Sequence, residues 1–388
     1  MNKKTAVLLA CSLISAAQLV RAQAITNNYR VVNAAVPFLT FSPDSRHAAL
    51  GDAGVASSPD ANSIYWNTAK LAFIDKEQGG SLSYAPWLRN LTGDMGLINA
   101  TYFKKINKTQ ALTVGINYFN QGLIQFTTNT GASAGDFQSR EFAITGGYTT
   151  KLMQDLSMGV NIKYINSNLI GNQVINGQAS KPGNSVASDI SFYYQKDRPT
   201  QRFERGVSAS YGLVFQNVGG KINYGTNLAY FLPANMKLGT NINIRPDMHN
   251  SFNLLFDVNK LMVPTPQLNG TIPDVGAMQA IFSSFGDAPD GFSEELREFN
   301  ISAGVEYMYE NLLALRGGYF FEPNSKGGRR YFTTGLGFRL KEDYGLDLAY
   351  LIPTTSGSPL ANTWRLSFVF DLKGRLSNSP SDDITREE

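Results

Sequence analysis

Two histidines, His47 and His249, and a single cysteine, Cys11, are all this chain offers of the side chains that most readily take up protons, metals or electrophiles near neutral pH. A nucleophile–histidine–acid triad and a multi-histidine metal site each need more partners than that, so no catalytic residue, metal ligand set or cofactor site is expected. Both histidines read as ordinary polar surface groups. Gly335 and Gly337 stand inside a strand-like stretch, where small residues let a wall bend, and do not form a phosphate-binding loop. The remaining chemistry is charge. Arg245, Arg316, Arg339, Arg365, Glu306 and Asp347 all fall on the polar side of alternating segments. Mixed signs in a confined space are expected to pair with one another or to hold an inner segment, because an unpaired charge there is costly.

The segments that must position these charges repeat one pattern. From residue 364 to 372, Trp364, Leu366, Phe368, Phe370 and Leu372 share one face, while Arg365, Ser367 and Asp371 share the other. Residues 156–164, 236–245 and 299–309 alternate in the same way. A strand that is apolar towards lipid and polar towards a lumen has this period of two. Tyr118, Tyr164, Tyr309, Tyr350 and Trp364 fall near strand ends, where amphipathic rings lie at headgroup level. Soluble sandwiches also alternate, but a soluble fold of this length should carry more charge outside. The fold class expected is therefore an all-β membrane protein, a 14-stranded antiparallel transmembrane β-barrel with an N-terminal hatch or plug.

Fourteen strands are expected, near 81–88, 95–106, 110–120, 139–151, 156–167, 187–196, 205–216, 235–245, 249–259, 298–309, 312–321, 329–341, 344–352 and 362–372. Most reach the ~9 to 11 residues that a tilted crossing needs. Even-numbered joins are short, whereas the odd-numbered joins 121–138, 168–186, 217–234, 260–297 and 353–361 are long. Short turns on the periplasmic side and long loops outside give this alternation. It puts the loops at the cell surface and both termini in the periplasm.

The ends complete the division of the chain. Residues 1–22 read as a secretory leader, with Lys3 and Lys4 before an apolar run and Val20-Arg21-Ala22 as a small-residue cleavage site. Cys11 leaves with it, so no disulfide is expected. Lys3, Lys4 and Arg21 supply the whole excess of 34 basic over 31 acidic residues, which leaves no basic patch for nucleic acid. Residues 23–80 are expected to fill the lumen as a hatch, 81–372 to form the barrel, and 373–388 to be a flexible periplasmic tail.

Docking surfaces are sought on the external loops. Met278, Ile281, Phe282 and Phe285 fall at i, i+3, i+4 and i+7, an apolar stripe on a short helix. Such a stripe either folds back onto the barrel rim or meets another protein. Leu123, Ile124 and Phe126, and Tyr230, Phe231 and Leu232, are similar candidates for partner binding.

A family resemblance runs through the mature chain. Arg46-His47-Ala48-Ala49-Leu50-Gly51-Asp52-Ala53-Gly54-Val55-Ala56 and Asn62-Ser63-Ile64-Tyr65-Trp66-Asn67-Thr68-Ala69 resemble the hatch of the FadL-like outer-membrane proteins. Glu294-Glu295-Leu296-Arg297-Glu298-Phe299, Arg316-Gly317-Gly318-Tyr319-Phe320-Phe321-Glu322 and Tyr350-Leu351-Ile352-Pro353 resemble the late strands of the PorV family in the Bacteroidetes type IX secretion system. FadL-like hatches usually read Asn-Pro-Ala where this chain has Asn67-Thr68-Ala69, so the local turn must be made without a proline. The resemblance implies a fourteen-stranded barrel with a hatch in the outer membrane, in contact with outer-membrane lipids, and a non-enzymatic role. It implies that the protein binds the C-terminal signal domains of secreted cargo proteins and passes them from the translocon to a sortase-like attachment complex. The alternative it leaves open is a FadL-like channel for hydrophobic small molecules.

Overall fold

The computed structural model describes residues 30–372, apart from 128–129, 172–173, 176–177, 197–204, 227, 268 and 341–342. The expected leader and tail lie outside these residues. Fourteen antiparallel strands close into one barrel: β1 (Gln78–Pro86), β2 (Gly96–Lys105), β3 (Gln110–Thr127), β4 (Ser133–Lys151), β5 (Leu156–Asn168), β6 (Gly183–Lys196) and β7 (Gly206–Gly219), followed by β8 (Asn235–Arg245), β9 (Asn250–Leu261), β10 (Phe299–Tyr309), β11 (Leu313–Phe321), β12 (Arg330–Leu340), β13 (Tyr344–Pro353) and β14 (Trp364–Leu372). Each strand pairs with its neighbour in sequence, and β1 pairs with β14 from Gln78↔Leu372 to Tyr84↔Leu366. Closure leaves no strand edge to be satisfied by water, the condition for crossing hydrocarbon with sheet. No helix among the described residues is long and apolar enough to cross a membrane.

The two faces sort as the alternation predicts. In β13, Leu346, Leu348, Tyr350 and Ile352 stand exposed on the outside, while Asp347, Ala349 and Leu351 are buried inside. The strand bounds differ in places. The wall begins at Gln78 rather than 81, and β6 and β7 are longer than expected at the long-loop end. The largest difference is at 121–138, expected as a loop. There β3 and β4 run on together, through a bulge between Asn120 and Gly122, into a hairpin that rises past the end of β2 at Gly96↔Asn120. Above the bilayer neither face has to be apolar, so the polar run Asn120-Gln121-Gly122 is compatible with continued strand pairing.

Residues 30–77 run along the inside of this wall. They carry the helices α1 (Ser45–Ala48) and α2 (Ser63–Trp66) and a 3-10 stretch from Thr68 to Phe73. Arg30 N donates to Ser325 O in the β11–β12 join, at the end of the barrel that carries the long loops. At the other end Glu77 O accepts from Lys105 N and Ile74 O from Lys105 Nζ. The segment therefore passes through the barrel from end to end. Arg30 and Leu372 lie at opposite mouths; the two chain ends, expected together in the periplasm, lie outside the described residues. Parity of the strands fixes only where β1 starts and β14 ends; it says nothing of where an inner segment begins.

Candidate functional site

Polar backbone groups inside a barrel need partners, and the inner segment finds them all around the wall. Asp257 of β9 accepts from Gly54 N at 2.7 Å and Val55 N at 2.9 Å. Thr333 of β12 accepts from Gly51 N and donates to Ala49 O, each at 2.9 Å. Ser210 of β7 donates to Ala56 O, Asn161 of β5 to Ile64 O and Ser157 to Ala69 O. Close approach is possible because the wall carries glycines here. A Cβ at Gly318 would collide with Gly51, itself held at a φ of +68° that favours glycine, and one at Gly335 would meet the Ala49 side chain. Gly335 and Gly337 thus make room for the segment and for Arg316 and Asp347, rather than merely letting the wall bend.

The turn expected to lack its proline is made by side chains. Asn67 accepts from Ala69 N at 3.0 Å and donates to Val55 O and Phe192 O. Thr68 donates to Asn161 at 2.8 Å.

The lumen has two different halves. Towards the long-loop end, Val36, Phe38 and Leu39 of the inner segment bury against Ala85, Trp87, Leu97, Phe119 and Leu232. Phe41 stacks on Trp87 with ring centroids 4.1 Å apart. Towards the short turns lies an open cavity of about 550 Å³, lined by Arg46, Asp60, Arg245, Asn253, Glu306 and Asp347 among others. Its wall carries an ionic ladder. Arg46 donates to Asp60 at 2.9 Å and to both oxygens of Glu306 at 3.0 and 2.9 Å. Arg316 donates to Glu306 and to Asp347, each at 2.7 Å, and Arg339 to Asp347 at 2.9 Å. The wall charges thus pair with each other and hold the inner segment through Arg46. Arg365 lies apart from the ladder, 5.9 Å from the Trp87 ring.

His47 is not a surface group. It is fully buried, with Nδ1 2.8 Å from Asp44 and Nε2 2.9 Å from Ser57. Asp44 also accepts from His47 N and from Trp66 Nε1. One carboxylate so ties α1 to α2, a structural duty that could not be read from a lone histidine. His249 stands exposed in the β8–β9 turn, 3.0 Å from Glu310.

The ten candidate docking residues separate. Leu123 is exposed on the β3–β4 hairpin, with Ile124 and Phe126 half-buried. Asp94 accepts from Leu123 N at 2.7 Å and braces the hairpin's base. Tyr230 is exposed, but Phe231 and Leu232 are buried, Phe231 against Val263 and Ala280 and Leu232 in the apolar lumen core. The expected helix is α3 (Ala277–Ser283). Its stripe splits: Ile281 is buried against Ala234 and Met262, while Met278, Phe282 and Phe285 stay exposed.

An ionic cluster at the same rim was not foreseen. Arg30 pairs with Asp290 and, at 2.8 Å, with Glu294. Lys326 donates to Glu294 and Glu298, both at 2.8 Å, and Lys260 to Glu295 and Glu298. Burial raises the Glu294 carboxyl, but the hydrogen bonds from Arg30 and Lys326 overcome this and hold it down to about 2. Asp287, Glu295 and Glu298 bring carboxylate oxygens within 4.8 Å of one another, but the Lys260 ammonium already bonds both glutamates. The available signal was Lys260 itself, a charge on the lipid-facing register of a strand, which demands a cover.

Comparison with known proteins places this geometry. The family described as "Type IX secretion system protein PorV" matches residues 24–268. No curated protein matches the chain in sequence. Among solved structures, the TodX deltaS2S3 mutant monoaromatic hydrocarbon channel is similar with a TM-score of 0.51 at 12% identity, covering 85% of this chain and 99% of that one. The Ralstonia pickettii toluene transporter TbuX has a TM-score of 0.46 at 11% identity, covering 86% and 98%. A Pseudomonas aeruginosa FadL homologue has 0.46 at 13%, covering 85% and 98%. At such identities the likeness concerns the barrel fold alone.

Proposed function

Because the chain belongs to the PorV family of type IX secretion system proteins, we propose that it acts in the outer membrane as a cargo-binding shuttle, receiving exported proteins by their C-terminal signal domains. The cargo comes from the translocon and passes to a sortase-like attachment complex. The long-loop end then faces the cell surface, and the protein works by binding rather than by catalysis.

The observation that carries this reading is the β3–β4 hairpin, which rises past its neighbours with exposed Leu123 on one face and half-buried Ile124 and Phe126 on the other. An exposed apolar group on a rigid ribbon is a low-entropy anchor for a protein partner. Tyr230 adds an aromatic group on the same mouth. The filled apolar half of the lumen, closed by Phe38, Trp87 and Phe119, favours binding at the rim over passage of hydrophobic compounds along the axis.

The test is co-purification of secreted cargo with Leu123→Asp/Phe126→Asp in the intact secretion host. Loss of an interface anchor costs about 2 kcal/mol or more, so capture should fall roughly thirtyfold while the barrel stays heat-modifiable on gels. Unchanged capture would remove the hairpin from consideration. Stoichiometric retention of a fatty acid in the lumen, with export intact in a deletion strain, would favour the channel reading.

A further inference from the structure

The segment between β9 and β10 meets the inner segment at the mouth through Val263, Val275 and Ala280, but its part from 277 to 298 does not simply arch over the barrel. It folds down onto the outside of the wall. Ile281 of α3 lies in a buried cluster with Ala234 and Met262, against which pack Phe215 of β7 and Met236 of β8. Those two side chains face each other across the strands in the register that points away from the lumen, in line with the exposed Tyr211, Leu238 and Ile242. Lys260 shares that outward register, paired with Met236 on one side and Phe299 on the other. It is nevertheless only 1% exposed, because the segment covers it. Its Nζ lies 5.6 Å from the ring centroids of both Phe285 and Phe299 and bonds Glu295 and Glu298.

The covering piece is patterned inside out. Along α4 (Phe292–Glu295) and the 3-10 turn Leu296–Glu298, the carboxylates point inward, with Glu294, Glu295 and Glu298 exposed by 2%, 6% and 6%. The apolar side chains point outward, with Phe292 at 76% and Leu296 at 55%. On α3 Phe282 is 74% exposed. A surface helix in water does the reverse. Charge inside and hydrocarbon outside is the arrangement of the barrel wall itself, and of any protein surface solvated by acyl chains. The apolar face is continuous with that wall through Phe285, Phe299 and Phe256. Arg297, an exposed cation beside Leu296, donates back to Ser293 O at 3.0 Å, and its stem is long enough to exchange that bond for headgroup phosphates while its neighbours stay in hydrocarbon.

We propose that Phe282, Phe292 and Leu296 are buried in the acyl chains of the outer leaflet, so that residues 277–298 act as a lipid-inserted flange extending the lipid-facing wall over β7 to β10. Lys260, Lys326 and Arg30, set against Glu294, Glu295 and Glu298, form the charge-balanced seal beneath it. This accounts for a lysine on the lipid register of β9, which would otherwise stand against hydrocarbon. It removes the exposed half of the α3 stripe from the surface offered to soluble partners.

The experiment uses nitroxide labels on the full mature chain in phosphatidylethanolamine–phosphatidylglycerol vesicles, with no other protein present. Cys11 is the only cysteine and precedes the mature chain, so Phe282→Cys, Phe292→Cys and Leu296→Cys each take one label. Leu346→Cys on the outer face of β13 gives the lipid standard and Leu123→Cys the water standard. All five replace exposed side chains, and retained heat-modifiable mobility confirms each fold. Oxygen collision should dominate over a water-soluble nickel chelate at the three flange positions, matching Leu346→Cys and inverted relative to Leu123→Cys. Nickel-dominated collision at these positions would overturn the proposal and return the face to a soluble partner. Shielding from both reagents, the mark of a second copy lying against it, would overturn it as well.

Discussion

The two halves of the lumen solve one problem by opposite means. Both must hold the inner segment against the wall. Towards the long loops this is done with packed aromatics and aliphatics, Phe38, Trp87 and Phe119, which exclude water by volume. Towards the short turns it is done with an ionic ladder from Asp60 through Arg46, Glu306 and Arg316 to Asp347 and Arg339, beside the open cavity. The first half is a stopper and the second a tether. A packed core stabilises through area lost to solvent, whereas a buried ion-pair network holds mainly because each charge would be costly alone. The difference shows which end can open: breaking one pair in a ladder exposes charges to water already present, whereas withdrawing Phe38 leaves a void.

Single changes can break or sharpen this contrast. The largest losses are expected from Phe38→Ala and Glu306→Ala. The first should cost about 3–5 kcal/mol as a cavity deletion. The second should cost a similar ~3–5 kcal/mol, because it removes the carboxylate that two guanidinium groups share and leaves Arg46 only the carboxylate of Asp60 and Arg316 only that of Asp347, the latter already shared with Arg339. Unfolding midpoints in denaturant check both, and the contrast lies in salt: added salt should partly rescue Glu306→Ala, where the cavity lets ions reach the arginines, and leave Phe38→Ala unmoved. Equal salt response would erase the distinction. Next comes Gly318→Ala at the boundary, where the new methyl presses on Gly51; overpacking of this kind costs about 1–3 kcal/mol. Increased proteolysis within residues 44–60 would report the segment lifting from the wall.

A smaller effect is expected from acid at the rim. Glu294 has a folded value held down to about 2, below its ordinary 4.5. Its contribution is therefore whole above pH 4.5, where the unfolded chain is also ionised, and is lost as pH falls through about 2. A nitroxide at Ser293→Cys should be immobile above pH 4.5 and gain mobility towards pH 2. Motion that sets in at neutral pH would show that the Arg30 and Lys326 pairs do not hold this carboxylate. Smallest is Tyr331→Phe, which removes one hydrogen bond of 2.6 Å to Asp52 and should cost roughly 1 kcal/mol.

The wall was legible because lipid on one side and a wet lumen on the other impose a period of two on every crossing. That is why Leu346 and Asp347, or Leu366 and Arg365, could be assigned to faces from sequence alone. Legibility stops where that constraint stops. Above the bilayer the hairpin at 121–138 has no lipid to answer to, and its strand character was hidden. Inside the barrel, the burial of His47 depends on Asp44, Ser57 and Trp66 meeting in space. The inward turn of Glu294 and Glu295 was hidden for a further reason, since acids on a short helix ordinarily mark its wet side. The α3 stripe was left open between the rim and a partner, and only Ile281 of its four residues is buried at the rim, because hydrophobic spacing tells which side is apolar but not which of two apolar neighbours it meets.

The route of the first described residues has a consequence for biogenesis. Arg30 at one mouth and Glu77 at the other are joined by a stretch whose backbone groups bond side chains of β5, β7, β9, β12 and β14. A piece so keyed to the wall cannot be drawn lengthwise through a finished cylinder. The seam between Gln78–Pro86 and Trp364–Leu372 must stay unzipped until the earliest-synthesised part of the chain has settled, so the polypeptide wraps its own beginning, and insertion into the bilayer ends with the joining of its first and last ribbons.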